Sequence, residues 1–175
     1  MKKSLFIVLV LGFFAILNAQ ERFSFGLVGT RFANTDNNNK LTEIENPFGY
    51  GVILGYAVNQ NLTVALTGEY FKDDMQNISG KETDYRVHLS AYYMPADFSG
   101  IKPYLSTGIV YTNRNYEYVS GDDENDSIFN GRIGAGLDYS LFSNISLNAD
   151  LGFYTDGLQF VGWTSSLGLR YGLNF

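Results

Sequence analysis

Most of this chain alternates between apolar side chains and small or polar ones, with a period of two residues. The clearest stretch runs from Phe48 to Val58, where every even-numbered residue is aromatic or branched aliphatic and the others are mainly glycine. Successive side chains of a strand point to opposite faces of its sheet, so this period predicts β-strands. Eight such stretches follow residue 20, near residues 23–32, 48–58, 62–70, 85–93, 104–112, 132–141, 145–154 and 166–175.

The two faces of these predicted strands differ in a way that indicates a membrane protein. The apolar face carries almost no charge along each strand and has aromatic residues near its ends, whereas the other face mixes Gly, Ser and Thr with isolated charges. A barrel that meets lipid with its outer surface has this pattern. Backbone groups in lipid must all be paired, so the sheet must close. We therefore predict an all-β fold, an eight-stranded antiparallel up-and-down transmembrane β-barrel. A soluble ligand-binding barrel, with its apolar face inward, is the alternative.

The first residues have the layout of a secretory signal peptide. Lys2 and Lys3 precede an apolar run from Leu5 to Leu17, and the small residue Ala19 follows it. The run is shorter than the about 20 residues that a spanning helix needs. We expect residues 1–19 to be a cleaved signal peptide and residues 20–175 to form the barrel domain.

Composition excludes several classes of function. The chain has no Cys and one His, which excludes disulfides, thiolate zinc sites, a cysteine nucleophile and a multi-histidine metal site. Its net charge of -6 argues against nucleic-acid binding. We expect no metal and no cofactor.

Connection lengths predict the orientation in the membrane. Barrels of this kind have short periplasmic turns and longer external loops. The predicted internal turns are residues 59–61, 95–102 and 142–144, and the predicted external loops are residues 33–46, 73–83, 113–127 and 156–160. Three of the four external loops are longer than any internal turn, so we expect both termini in the periplasm.

Charged residues on the inward face predict a polar cluster in the lumen. Its members are Glu69, Arg86, His88, Arg132, Asp138, Asp150 and Arg170. We expect Asp138, Asp150 and Arg170 to form one cluster, and Glu69 to face Arg86 across a hairpin. Eight strands leave room only for side chains, which disfavours a general porin. Buried charges need partners, so the cluster is either a plug of ion pairs or a narrow path that opens when the pairs rearrange.

The predicted external loops are acidic, with 12 acidic residues against 3 basic ones. One run, Asp122, Asp123, Glu124 and Asp126, has part of the spacing of a calcium loop. It lacks the glycine and the final glutamate of an EF-hand, so we regard it as a candidate for weak divalent-cation binding beside the simpler interpretation of a hydrated loop.

The C-terminal strand, SLGLRYGLNF, carries the most specific resemblance to a known family. Residues 20–175 resemble the small eight-stranded outer-membrane barrels of the OmpA transmembrane-domain and OmpX kind. The resemblance implies that alternate apolar residues ending in a terminal Phe are read by the barrel-assembly machinery; here they are Leu167, Leu169, Tyr171, Leu173 and Phe175. It also implies a monomer that contacts outer-membrane lipid and lipopolysaccharide.

Three functions remain open from the sequence. The leading hypothesis is a non-catalytic protein that stabilises the envelope and presents acidic loops to an extracellular protein or surface ligand. The second is a narrow gated ion channel through the lumen. The third is a lipid A-modifying enzyme, because His88, Ser90 and Glu69 share a face and have a spacing similar to the His-x-Ser of the lipid A deacylases.

Overall fold

Each alternating segment forms a strand because one of its faces can meet an apolar medium and the other a polar interior. The computed structural model describes residues 23–34, 47–74, 80–119, 121 and 123–173. Its strands are β1 (Phe23–Asn34), β2 (Phe48–Ala57), β3 (Leu62–Asp74), β4 (Gly80–Tyr93), β5 (Ile101–Tyr118), β6 (Asp123–Phe142), β7 (Ile145–Asp156) and β8 (Gln159–Gly172). Neighbours in the chain pair antiparallel, and β8 pairs with β1 to close the barrel. The predicted fold is confirmed.

Apolar side chains face outward and charged ones face inward. Leu27 and Phe48 are 66% and 68% exposed, whereas Arg86 and Arg132 are 2% and 5% exposed. This distribution is the opposite of what a soluble ligand-binding barrel requires. No helix in the described part of the chain is long and apolar enough to cross a membrane. The predicted signal peptide, residues 1–19, lies outside the described residues.

Aromatic side chains form a belt near each end of the outer surface, as predicted. At the end that carries the connections 58–61, 94–100 and 143–144, which we call the turn end, Phe25 lies 5.5 Å from Tyr171 between ring centroids. At the opposite end, the hairpin end, Tyr70 lies between Tyr50 and Tyr85, with centroid distances of 5.6 and 5.3 Å.

Three of the predicted external loops are wrong in their boundaries; in the loop 156–160, only residues 157 and 158 lie outside β7 and β8. Six of the 11 residues of the predicted loop 73–83 belong to β3 and β4, and 11 of the 15 residues of 113–127 belong to β5 and β6. These residues pair as strands but are polar on both faces, so they show no alternation. As a result, only the first hairpin-end connection, residues 35–47, is longer than the longest turn, residues 94–100. The predicted orientation, with both termini in the periplasm, therefore stays a prediction.

Candidate functional site: the filled lumen and the protruding hairpin

The middle of the lumen holds a buried acid–histidine pair. Glu69 on β3 and His88 on β4 face inward, and His88 Nε2 lies 2.8 Å from Glu69 Oε2. The Thr30 hydroxyl on β1 donates to Glu69 Oε1 at 2.5 Å, which ties the pair to a third strand. The ring of Tyr154 meets His88 edge-on at 6.1 Å. Ser90 also faces the lumen and is 2% exposed, so any triad with this pair would be enclosed by the barrel wall.

A second cluster joins β5, β6 and β7. Arg132 Nη2 donates to Asp150 Oδ1, and Arg132 Nη1 donates to the Ser106 hydroxyl at 3.1 Å. The Tyr104 hydroxyl donates to the other oxygen of Asp150 at 3.0 Å. Arg132 crosses Gly152 on its way to Asp150: a Cβ at Gly152 would lie 2.5 Å from Arg132 Nη2. Tyr104 was missing from the predicted cluster, although its inward position follows from the alternation in β5.

The predicted single cluster of Asp138, Asp150 and Arg170 is wrong. Asp138 Oδ2 lies 3.8 Å from Arg170 Nη1, whereas Asp150 pairs with Arg132. The register explains the difference, because Asp150 lies opposite Gly136, two residues along β6 from Asp138. That step of about 7 Å separates the two carboxylates into different layers of the lumen.

Towards the hairpin end, Arg86 closes the lumen. Its guanidinium lies between the rings of Phe32 and Phe71, 4.5 and 4.4 Å from their centroids, and bonds to Asp84 at 2.6 Å. Register places Glu69 opposite Arg86, as predicted, but the ion pair of Arg86 is with Asp84. Sequence reasoning missed Asp84; its position two residues from Arg86, on the same face of β4, was the available signal. We call Arg86 and its three contacts the Arg86 clamp.

Little free space remains between these layers. A central cavity of about 30 Å³ lies among Glu69, His88, Arg132, Asp150 and Tyr154, room for about one or two water molecules. A wider vestibule of about 330 Å³ opens at the turn end, where Asp138 and Arg170 lie. Among the described residues, side chains therefore fill most of the middle of the lumen, and the Arg86 clamp lies across it towards the hairpin end.

At the hairpin end, β5 and β6 extend beyond the end of their neighbour β7. Residues 123–130 of β6 pair with β5 on one side, but β7 joins β6 only from Gly131, which lies opposite Thr155. Within the described ranges no strand pairs with the other side of residues 123–130. We call residues 123–130 the β6 free edge. Unpaired edge groups can accept a further strand.

Charged and aromatic side chains lie on the part of the β5–β6 hairpin that extends beyond β7. Arg114 bonds to Asp126 at 2.9 Å, and the Tyr118 hydroxyl lies 3.5 Å from Glu124 Oε2. Burial raises the pKa of the Tyr116 hydroxyl above its ordinary value, and the nearby Arg114 opposes that shift. Asp123, Glu124 and Asp126 lie in a strand and not in the predicted loop, while Asp122 lies outside the described residues. The described acidic and histidine residues form no group of three suited to a metal ion; cation binding by this run stays a prediction.

Three of the predicted assembly residues lie on the outer face of β8. Leu167, Leu169 and Tyr171 are 57%, 49% and 40% exposed, and Leu173 is half-buried. Phe175 lies outside the described residues. The alternation that suggested a signal is thus present on the lipid-facing side, and its recognition by an assembly machinery stays a prediction.

Comparisons with known proteins agree with this architecture. A family model, "Outer membrane protein beta-barrel domain", matches residues 6–175. A search of curated protein sequences gives no match. Among solved structures, Neisserial surface protein A (NspA) has 18% sequence identity and a TM-score of 0.69, covering 85% of this chain and 96% of that one. Ail of Yersinia pestis has 17% identity and a TM-score of 0.62, covering 87% and 99%.

The N-terminal β-barrel domain of Pseudomonas aeruginosa OprF is also similar, with 20% identity, a TM-score of 0.56 and coverage of 87% of this chain and 98% of that one. At these identities the structural similarity shows the fold alone, whereas the family model covers nearly the whole chain. The resemblance seen in the sequence is confirmed. The chain therefore belongs to the outer membrane protein beta-barrel domain family, as an integral protein of the outer membrane, surrounded there by lipid and lipopolysaccharide.

Proposed function

We propose that this protein is a monomeric, non-catalytic outer-membrane barrel that stabilises the envelope and binds an extracellular partner through the β6 free edge. The proposal includes an orientation in the membrane in which both termini face the periplasm and the hairpin end faces the outside of the cell. The observation that carries the proposal is that, in the part of the chain that the structure describes, residues 123–130 have a partner strand on one side only. An exposed edge offers backbone donors and acceptors to an extended segment of another chain.

The charge of the β6 free edge indicates which kind of partner segment it would bind. Asp123, Glu124 and Asp126 are exposed on the free edge, and Glu117 is exposed on the neighbouring strand. Arg114 is the cation paired with one of them. This surface favours a basic extended segment and disfavours polyanions. Ail has been solved with the heparin analogue sucrose octasulfate, so the acidic edge here predicts a different class of partner.

The proposal is tested with a short peptide of alternating Lys and Val, added to the refolded full chain in detergent micelles. We expect the peptide to slow amide hydrogen exchange at residues 123–130, and an alternating Glu–Val peptide to leave it unchanged. Replacing Asp123 with Asn and Glu124 with Gln should weaken binding by about three- to tenfold, since exposed charge pairs contribute up to about 1 kcal/mol each. Asp156→Asn, at the β7–β8 turn, is the matched control. The proposal would be contradicted if the Lys–Val peptide left hydrogen exchange at residues 123–130 unchanged. It would also be contradicted if the Asp123→Asn and Glu124→Gln double variant bound the peptide as tightly as Asp156→Asn.

The non-catalytic part of the proposal rests on where the candidate triad lies. His88, Ser90 and Glu69 are buried in the lumen, apart from the lipid that surrounds the barrel. We expect His88→Ala to leave the lipid A mass spectrum of the producing cells unchanged. A spectrum that loses a modified species in His88→Ala cells, and regains it with the wild-type chain, would favour the enzyme instead.

A second candidate, the narrow ion channel, is favoured by one observation. The central cavity is lined by charged groups, among them Glu69, Arg132 and Asp150, and lies between the vestibule and the Arg86 clamp. Ions would cross only if this clamp and the Arg132–Asp150 pair moved aside. Separating buried ion pairs is costly, so we place this function second.

A further inference from the structure

A glycine interrupts the lipid-facing surface of the barrel. The outward residues of β3 include Leu66, Gly68 and Tyr70, so a gap lies between two large side chains. On the neighbouring strands, Val52 and Val87 lie beside Gly68 in register. The surface therefore has a dent one side chain deep, with apolar walls on all four sides.

Among the described residues, no neighbour requires a glycine at position 68. Many glycines of the barrel are required by close neighbours; a Cβ at Gly51, for example, would lie 2.2 Å from a backbone oxygen. A Cβ at Gly68 would meet no atom within 4 Å, and its φ is not in the left-handed region. Within the described part of the chain, neither packing nor backbone conformation calls for glycine here. The space that Gly68 leaves is therefore open to another molecule.

The dent belongs to a groove of about 540 Å³ across β1 to β4. This volume lies within the range of small-molecule pockets, roughly 300–1,000 Å³. Leu27, Val52 and Val87 line the groove, and the row of Tyr50, Tyr70 and Tyr85 lines its hairpin-end side. Such a groove suits a hydrocarbon chain running along the barrel beneath the tyrosine rings.

Two cations lie just beyond the tyrosine row. Lys72 follows Tyr70 by two residues on β3, and Arg31 lies opposite Phe48, two residues from Tyr50. Both are exposed. Two residues along a strand span about 7 Å, the step from an interfacial aromatic belt to the headgroup level. A cation at that level attracts lipid phosphate.

We infer that this groove binds a phosphorylated, multiply acylated lipid of the outer leaflet, with one acyl chain over Gly68 and a phosphate at Arg31 and Lys72. The choice of leaflet rests on the orientation proposed above. The acyl chain fills the space that Gly68 leaves, and the two cations select an anionic headgroup. The bound lipid covers β1 to β4, on a part of the surface separate from the β6 free edge.

The test counts the lipid A molecules that stay bound to the full chain. The protein is released from micelles of a neutral detergent, and the mass of the protein–lipid complex is measured by native mass spectrometry. We expect one retained lipid A per wild-type barrel. Gly68→Leu fills the groove and should weaken retention about tenfold, equivalent to about 1.4 kcal/mol. Gly68→Ala should have a smaller effect in the same direction. The double variant Arg31→Gln and Lys72→Gln should lose the preference for lipid A over phosphatidylethanolamine.

Matched controls exclude general effects of bulk and charge. Ala135→Leu adds a similar side chain to the lipid-facing surface of β6, and Lys102→Gln removes a cation from the turn end. Heat-dependent gel mobility verifies that each variant is folded. Retention by Gly68→Ala and Gly68→Leu equal to that of the wild type would overturn the inference. Equal retention of phosphatidylethanolamine by the wild type would overturn the headgroup and leaflet assignment, and neither result would affect peptide binding at β6.

Discussion

Arg132 reaches Asp150 because Gly152 leaves the space between them open. The alternation in the sequence correctly predicts that these three residues face inward. The residues of the predicted lumen cluster are likewise all buried. The alternation is not enough to choose partners. Partner choice depends on the register between strands and on the reach of each side chain, and neither quantity is visible in one strand alone. For this reason the sequence predicts one cluster of Asp138, Asp150 and Arg170, whereas the structure has two separate pairs.

Removing Asp150 tests this pairing at the residue scale. Asp150→Asn leaves the Arg132 charge buried without its carboxylate, which should lower the free energy of unfolding by about 3–5 kcal/mol. The double variant Arg132→Met and Asp150→Leu removes both charges and should recover most of that loss. Urea unfolding in micelles measures both, with Asp156→Asn as the exposed control. A double variant as unstable as the single one would contradict the pairing.

The role of Gly152 is tested by adding one methyl group. Gly152→Ala places a Cβ against the Arg132 guanidinium, so the side chain must shift and weaken its contact with Asp150. We expect a loss of about 1–3 kcal/mol in the free energy of unfolding. Gly172→Ala is the control, because its nearest neighbour, Asn144 O, would be 3.9 Å away. Equal stability of the two variants would show that Arg132 takes another route.

At the scale of strands, the sequence predicted the membrane-spanning parts well and the projecting parts poorly. The outward residues of β2, β4 and β8 agree with the predicted apolar face. By contrast, the ends of β5 and β6 beyond Tyr111 and Phe129 carry polar residues on the outward face as well as on the inward one. Without an apolar outward face the sequence shows no alternation, so it predicts a loop where the strands continue.

The unequal pairing of β6 predicts unequal protection along one strand. Among the described residues, 123–130 have a partner strand on one side, whereas 131–139 have partners on both. We expect backbone amides of the first segment to exchange faster, because edge groups open to water more readily. Hydrogen exchange of the refolded chain, read residue by residue by NMR, measures the contrast. Uniform protection along β6 would mean that another segment covers its free edge.

At the scale of the whole molecule, the lumen and the outer surface differ in how much space they offer. Charged residues including Glu69, His88, Arg132 and Asp150 surround a central cavity of about 30 Å³, the Asp138–Arg170 pair lies at the turn end, and the Arg86 clamp lies towards the hairpin end. The ion pairs described in this interior would have to separate before ions could pass between them. We therefore propose that contacts with other molecules occur at the two outer features, the β6 free edge and the groove over Gly68.

The most direct test of this account is the single-channel conductance of the refolded full chain in a planar bilayer at two salt concentrations. The filled lumen predicts no discrete openings from wild-type barrels whose folding is verified by heat-dependent gel mobility. Discrete openings that scale with salt, and that change when Arg132 and Asp150 are replaced together, would contradict the sealed lumen and make ion passage the leading function.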